Sequence, residues 1–388
     1  MTIRYRVDIE NTLGEKIITY TGTGDGFISL SYSPRISDKG NYQLTLSGFD
    51  PRVRLIKEDY LIRVYMDDNA EGIVWLNVFN GIHKTFTDQQ AENGNETFTS
   101  FGPSLEEILD KSYILYTAGS AQAEKSAVSS TAMYEFVKEN VGSLATLANG
   151  RQIAGTNPIT NGVDSGEGPL WDDTAPWKNL LVTLKKIREY SISQDDQIDF
   201  SVSYLGAYTF QFNAGKLGTD RTTAGLSATS NGLNGAGYPP VIFGPLQGNV
   251  ESYIRSKSRF NEANTVLALG QGTGALRDTA SAQDALAATV SPIAQREMVT
   301  NAVNSTDTAK LQTVADAKLE ERKADEKFTF TPRRGAQILW RDYFIGDFIT
   351  GEDKDGNRTD KQVIGADINV SATSGALIER TVIKFADM

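Results

Sequence analysis

Between Ile28 and Phe101 apolar and small polar residues alternate in short runs divided by turn-forming clusters. A period of two fits paired strands with one buried face and little else. Phe27 to Tyr32 and Tyr42 to Leu46 show it clearly, with the turn Asp38-Lys39-Gly40-Asn41 between them. Tyr60 to Tyr65 and Ile73 to Phe79 follow, separated by the polar stretch Asp67 to Gly72. A short run from His83 to Phe86 and a hairpin loop from Gln89 to Asn95 lead into Glu96 to Phe101. Six strands at this spacing predict a small antiparallel barrel closed by Gly102.

At 388 residues, with 39% of them apolar, the chain is long enough for two or three domains. It has no cysteine, so disulfides, thiolate nucleophiles and thiolate metal ligands are all excluded, and rigidity must come from packing or self-assembly. A net charge of −11 repels polyanions; the adjacent Arg333 and Arg334 are too small a footprint for nucleic acid. The opening Met-Thr-Ile-Arg-Tyr-Arg-Val-Asp predicts no signal peptide, and no apolar run reaches the length of a membrane helix.

After Pro103 the texture changes. Ser104 with Glu107 predicts a capping box ahead of Leu105, Ile108 and Leu109. Met133, Phe136, Val137 and Val141 predict a helix over 127–141 that ends on a left-handed Gly142. Thr174 and Pro176 predict the opening of a second helix, with Trp177, Leu180, Leu181, Leu184 and Ile187 as its apolar stripe and Lys178, Lys185, Lys186 and Arg188 outside it. Residues 197–212 alternate again, as a hairpin around Gly206. Residues 215–248 are rich in Gly, Ser, Thr and Asn and read as a loop with a mobile tip. Strand pattern resumes over 250–259 and 263–269. Helices are predicted over 292–303 and 306–327, the latter with a solvated charged face, and strands return to the end of the chain.

Several groups invite a chemical reading and have a plainer one. Gly270-Gln271-Gly272-Thr273-Gly274 follows an apolar run as a dinucleotide loop would, but no helix of the right kind opens after it and no P-loop lysine is present. Asp353, Asp355, Gly356 and Asn357 offer calcium-like oxygens, but the glycine comes too early and the bidentate glutamate is missing, so a hairpin tip is favoured. Asp172-Asp173 and Asp195-Asp196 are acid pairs of the kind glycosidases use, yet sequence neighbours rarely converge on one bond. His83 is the one histidine and has no serine elbow or zinc motif around it; it reads as a half-exposed strand residue. Trp171 and Trp177 could stack on a sugar but are read as core. The acceptor patterns at Asn95, Asn304 and Asn369 carry no weight without secretion. The expectation is therefore no catalytic, cofactor-binding or metal-binding residue, and no enzyme.

The order of these pieces resembles the baseplate hub or minor tail proteins of long-tailed phages, which are related to contractile-tail hubs. The resemblance rests on Gly40 to Leu46, Asp50-Pro51-Arg52-Val53-Arg54-Leu55-Ile56, Tyr60 to Tyr65, Trp75 to Gly81, Gly102 to Leu109, Asn140-Val141-Gly142, the Gly270 turn and Phe344 to Thr350. It covers nearly the whole chain. It implies an α+β, β-rich fold with two small antiparallel β-barrels of tail-hub type beside a helical and mixed domain. The implied division is an N-terminal barrel over 1–103, a mixed domain over 104–195 and 251–326, a hairpin and Gly-rich loop over 196–250 contributing to the second barrel, and a segment over 327–388 completing it. The implied role is a homotrimeric ring with pseudo-sixfold symmetry in the virion tail tip, assembled in the host cytoplasm. Its implied partners are the distal tail protein and tail tube, the tape measure protein and the tip or fibre proteins; DNA would pass along an acidic lumen without specific binding, and nothing would insert into a membrane. A wall- or capsule-cutting enzyme is one competing reading. Another is a receptor-binding module using Tyr238, Pro239, Pro240 and Phe243, and a third is the hub of a contractile injection particle.

Overall fold

The computed structural model describes residues 3–22, 26–67, 74–115, 123–155, 158–175, 177–226, 231–302, 307–333, 337–373 and 376–387. The acceptor site at Asn304, the residues Pro176 and Arg334, most of the 67–72 stretch and part of the 215–248 loop lie outside them.

The chain opens with β1 (Arg4–Glu10), β2 (Lys16–Thr21), β3 (Ser29–Tyr32), β4 (Asn41–Ser47), β5 (Leu61–Asp67), β6 (Leu76–Ile82), β7 (Thr85–Gln90) and β8 (Glu96–Pro103). Its middle holds α1 (Glu107–Asp110), β9 (Glu124–Val128), α2 (Ser129–Asn140), β10 (Ile159–Asn161), β11 (Leu170–Thr174), α3 (Leu180–Ser193), β12 (Asp199–Gly206) and β13 (Thr209–Gly215). Then come β14 (Asp220–Arg221), β15 (Ile242–Phe243), β16 (Val250–Ser258), β17 (Thr265–Leu269), β18 (Thr279–Gln283), α4 (Ala285–Thr289), β19 (Glu297–Asn301) and α5 (Thr308–Glu321). Strands β20 (Asp325–Pro332), β21 (Phe348–Glu352), β22 (Arg358–Thr373) and β23 (Ala376–Asp387) finish it.

The predicted alternation is real. In β4 it turns Tyr42, Leu44 and Leu46 inward, and in β3 Leu30 and Tyr32. The predicted barrels, however, do not close. One sheet runs β2-β1-β5-β6. The other N-terminal strands, β3, β4, β8 and β7, belong to an eleven-stranded sheet ordered β16-β20-β23-β22-β3-β4-β8-β7, with β21 beside β22 and β14 and β15 beside β21. The physical reason is the β3–β22 ladder, in which Leu30 pairs Val370 and Tyr32 pairs Ile368. Hydrogen bonds that would close an N-terminal barrel on itself are spent instead on the C-terminal strands. Both sheets share one apolar core, in which Tyr5, Val7 and Ile9 meet Leu44, Phe243, Phe330 and Ile383.

A second core gathers α2, α3, β10, β12 and β13 around Phe136, Leu184, Phe200 and Phe212. The hairpin expected to feed a second barrel is present, but it forms its own sheet, β13 pairing with β12 on one side and β10 on the other, and buries its aromatics here. A third, smaller core packs α5 on the sheet β18-β17-β19, with Leu311, Val314 and Ala315 against Val266, Ala268 and Ala280. Residues 297–301 form β19, parallel to β17, where a helix was predicted. A short apolar run has no preference strong enough to resist an open strand edge beside it.

Helix ends differ in detail from the predictions. Ser104 does not cap through Glu107: its hydroxyl donates to Glu106 Oε2 at 2.5 Å and accepts from the Gly40 amide at 2.9 Å, while Glu107 takes Lys39 at 2.9 Å. Gly142 is not left-handed; it is needed because a Cβ there would lie 2.8 Å from the Lys138 Cα. Helix α3 starts at an Asn179 cap, whose side-chain Oδ1 accepts from the Val182 amide at 3.0 Å. Trp177 precedes it at φ 57° and is 49% exposed, so it is no part of the stripe, whereas Trp171 on β11 is core.

Phe330 is packed between Phe243, Tyr253 and Phe385. Phe330→Ala should lower stability to denaturant by about 3–5 kcal/mol through the cavity it leaves. Phe260→Ala, at a residue 95% exposed, should change it by less than about 0.5 kcal/mol.

Candidate functional site: a buried polar seam and two free sheet edges

The residues proposed for chemistry are dispersed. Asp172 and Asp173 are consecutive on β11, so their side chains leave opposite faces of the strand. Asp173 is buried and holds Lys186 at 2.5 Å; Asp196 holds Lys216 at 2.6 Å. The Gly270 segment turns β17 into β18, with Gly272 and Gly274 at positive φ and no nucleotide-type helix after it. Asp353 is the hub of the β21–β22 turn: its Oδ1 accepts from the amides of Asp355 and Asn357 at 2.9 and 3.0 Å, which makes it a turn residue. Among the described residues no three carboxylate or imidazole groups gather as a metal site requires. No helix among them is long and apolar enough to cross a membrane.

His83 is buried, not half-exposed. Its Nδ1 lies 2.7 Å from Ser100 Oγ, its ring stacks towards Phe86, and burial lowers its pKa. A neutral imidazole closing a chain with Ser100 and Tyr42, whose hydroxyls are 2.9 Å apart, is structural.

The 215–248 loop is pinned rather than structureless. Asp347, fully buried, accepts from the Thr219 amide at 2.7 Å, the Arg221 Nε at 2.8 Å and the Phe344 amide at 2.9 Å. Beside it Gly218 and Gly346 both have positive φ, and a Cβ on Gly218 would sit 2.1 Å from the Gly346 carbonyl oxygen. The loop also lays β14 and β15 parallel to β21. Of its aromatics, Phe243 is in the first core and Tyr238 stacks under the Arg221 guanidinium, 5.4 Å from its centroid.

The densest polar cluster was not singled out by the sequence. Asp199, 1% exposed, accepts from Arg188 Nε at 2.6 Å, Gln362 Nε2 at 2.6 Å, Gln197 Nε2 at 2.8 Å and Ser37 Oγ at 2.8 Å. Gln362 Oε1 in turn accepts from Arg188 at 3.0 Å. Helix α3, strand β12, the β3–β4 connection and β22 are thus bolted at one carboxylate, where the first and second cores meet. A second bolt joins β1 and β5 to β12: Glu10 accepts from Arg63 at 2.6 Å and from the Tyr204 hydroxyl at 2.7 Å. Lys185 to Asp38, and Lys39 to Glu107 and Asp110, tie the β3–β4 connection to the helices. Of the cations expected outside α3, Lys185 and Arg188 are therefore engaged in these seams, and Lys186 in its pair with Asp173.

Between α3 and α5 lies a cleft of about 470 Å³ lined by Lys178, Lys186, Glu189, Lys318 and Glu321 with Trp171 at its base. Burial, reinforced by Glu321, raises the Glu189 pKa to about 7. Among the described residues the large sheet ends on β16 at one side and on β7 at the other.

The fold is shared with solved phage tail proteins. The 43 kDa tail protein of prophage MuSo2 from Shewanella oneidensis superposes with a TM-score of 0.57 at 13% identity, over 100% of this chain and 98% of that one. The tail protein from Neisseria meningitidis MC58 gives 0.55 at 14%, over 98% and 96%. A chain of the Francisella PdpA-VgrG complex in its lidded form gives 0.52 at 9%, over 100% of this chain but 53% of that one. At such identities the likeness is one of fold. No curated protein matches by sequence. The chain belongs to the family of Siphovirus ReqiPepy6 Gp37-like proteins, whose sequence profile matches residues 15–381, and it is accordingly a phage tail protein and a virion component.

Asp199→Ala should cost about 3–5 kcal/mol, because it strands the partly buried Arg188 without its counter-charge; urea titration of the two proteins measures it. Glu189 binds its proton more tightly in the folded than in the unfolded chain. Its contribution to stability is therefore complete below the ordinary carboxylate range and is lost as pH rises through about 7. Glu189→Gln should melt progressively higher than the parent as pH is raised from 4.5 to 8; a gap that stays constant across that range contradicts the assignment.

Proposed function

We propose that this chain is the tail-tip hub: three copies form a ring that joins the tail tube and distal tail protein to the tip or fibre and surrounds the path of DNA. The observation that carries the reading is the fusion of N- and C-terminal strands into one sheet whose outer strands, β16 and β7, have one strand neighbour each among the described residues, in a chain that aligns end to end with solved tail proteins. Open edges of this length are a liability in a lone molecule and an asset in an assembly. The role is structural, not catalytic: one acid of each pair, Asp173 and Asp196, is held by a lysine, and the buried histidine serves a core network. The tape measure protein and the tip proteins are the partners such a ring would meet, and an acidic lumen would let DNA slide.

A receptor-binding role for the 215–248 loop is less well supported, since Phe243 is core and the loop supplies β14 and β15. Its deletion should damage folding as well as adsorption. Native mass measurement across a concentration series tests the hub: a trimer is expected. A monomer at every concentration, or release of fragments from purified peptidoglycan, would overturn it.

A further inference from the structure

The cleft between α3 and α5 holds more positive charge than the groups around it neutralise. Val182, Lys186 and Glu189 line it from α3, and Val314, Lys318 and Glu321 from α5. Each series steps by three or four residues, so the groove runs beside both helices for about 10 Å at ~1.5 Å per residue. Its floor is apolar, made by the buried Trp171, Ala175 and Ala317. Most of its charges are matched: Lys186 holds Asp173 at 2.5 Å and lies 5.3 Å over the Trp171 ring, Lys318 pairs with Glu321, and Lys185 with Asp38. Lys178, at the approach to α3, is not: its ammonium makes no hydrogen bond or ion pair among the described residues. Burial and the like charge of Lys186 hold its pKa below that of an ordinary lysine, with Asp173 opposing them. Glu189 faces Glu321, Arg188, Lys318 and Lys185, and burial keeps its proton on up to about pH 7. Below that pH the pairs cancel and Lys178 is left over beside an apolar floor.

We propose that this groove binds an acidic segment of another protein, one that sets a carboxylate against Lys178 and an apolar side chain against Val182 and the floor over Trp171. Charge complementarity selects the occupant. The chain as a whole carries −11 and repels acidic partners, whereas this groove has a cation in excess and so directs them to one place. A pair formed here, partly withdrawn from water, is stronger than the same pair on an open surface. A small anion would meet Lys178 alone and leave the length of the groove and its floor uncovered; an extended segment fills both. Val182, 59% exposed on the rim, is the apolar contact such a segment covers. The inference goes beyond the ring reading and does not depend on it, because one copy contains the whole groove.

The test uses the full-length chain and the fluorescein-labelled peptides Glu-Glu-Leu-Glu-Glu, Gln-Gln-Leu-Gln-Gln and Glu-Glu-Ser-Glu-Glu, followed by fluorescence anisotropy. The first should bind saturably and the other two about tenfold more weakly or worse. Lys178→Glu and, separately, Val182→Glu should each weaken the first peptide by about tenfold; circular dichroism checks that each variant is folded, and either one that folds suffices. Lowering the pH from 8 to 6 protonates Glu189 and should tighten binding severalfold in the parent but not in Glu189→Gln, a difference that a purely structural glutamate would not produce. No saturable binding, equal binding of the glutamate and glutamine peptides, displacement by inorganic phosphate at the peptide's own concentration, or binding untouched by the folded variants overturns the proposal. So does loss of self-assembly in a folded variant of a chain that ignores the peptide, which makes a second copy the occupant. A chain that binds the peptide yet stays monomeric at every concentration removes the ring reading and leaves this one standing.

Discussion

One carboxylate holds the molecule's two main cores in register. Asp199 is buried where the β12 strand passes α3, and it is satisfied by four donors, three of them from other stretches of chain. Buried charge is costly unless paired and hydrogen-bonded, and a site that meets both demands through distant residues tolerates only one relative placement of the elements that supply them. Arg188 and Gln362 are the decisive partners because they come from the helical middle and from the longest C-terminal strand. The seam therefore fixes the middle of the chain against a sheet built from its ends.

That sheet is the second constraint. The β3–β22 ladder draws N- and C-terminal strands into one surface, and the Asp347 clamp carries the glycine-rich loop along its margin instead of releasing it. Local motifs far apart in sequence meet in this way. Gly40 and Ser104 exchange backbone and side-chain hydrogen bonds, so the turn before β4 is locked to the exit of β8. A body braced at these points can leave its outer edges bare, which is what a component of a larger assembly needs and what an isolated protein avoids.

The strands of the first hundred residues, helices α2 and α3, the β12–β13 hairpin and the Asp353 turn were legible because each rests on a local period or a turn residue. Residues 297–301 were misread because Met298 and Val299 are too few to set a period, and pairing with β17 chose for them. Trp177 was misread because a left-handed backbone turns it out of a stripe it fits on paper. His83 was misplaced because nothing local reveals that Ser100, seventeen residues on, will cover it. The Asp199 network gave no signal at all, since Ser37, Arg188, Asp199 and Gln362 are unremarkable in their own neighbourhoods.

By itself the sequence determined a β-rich chain with a helical centre, without thiol chemistry, without an evident reactive cluster, and with an ordering of motifs like that of phage tail proteins. Period, turn chemistry and composition are properties of neighbouring residues, and they survive any tertiary arrangement. Only the tertiary structure decided that the barrels stay open, that the hairpin joins the helices, and that one large sheet is built from both ends of the chain. Those outcomes depend on which strand finds which partner across hundreds of residues. Backbone hydrogen bonding is indifferent to sequence, so the choice falls to side chains such as Asp199 and Asp347 that have a satisfied place in one arrangement only.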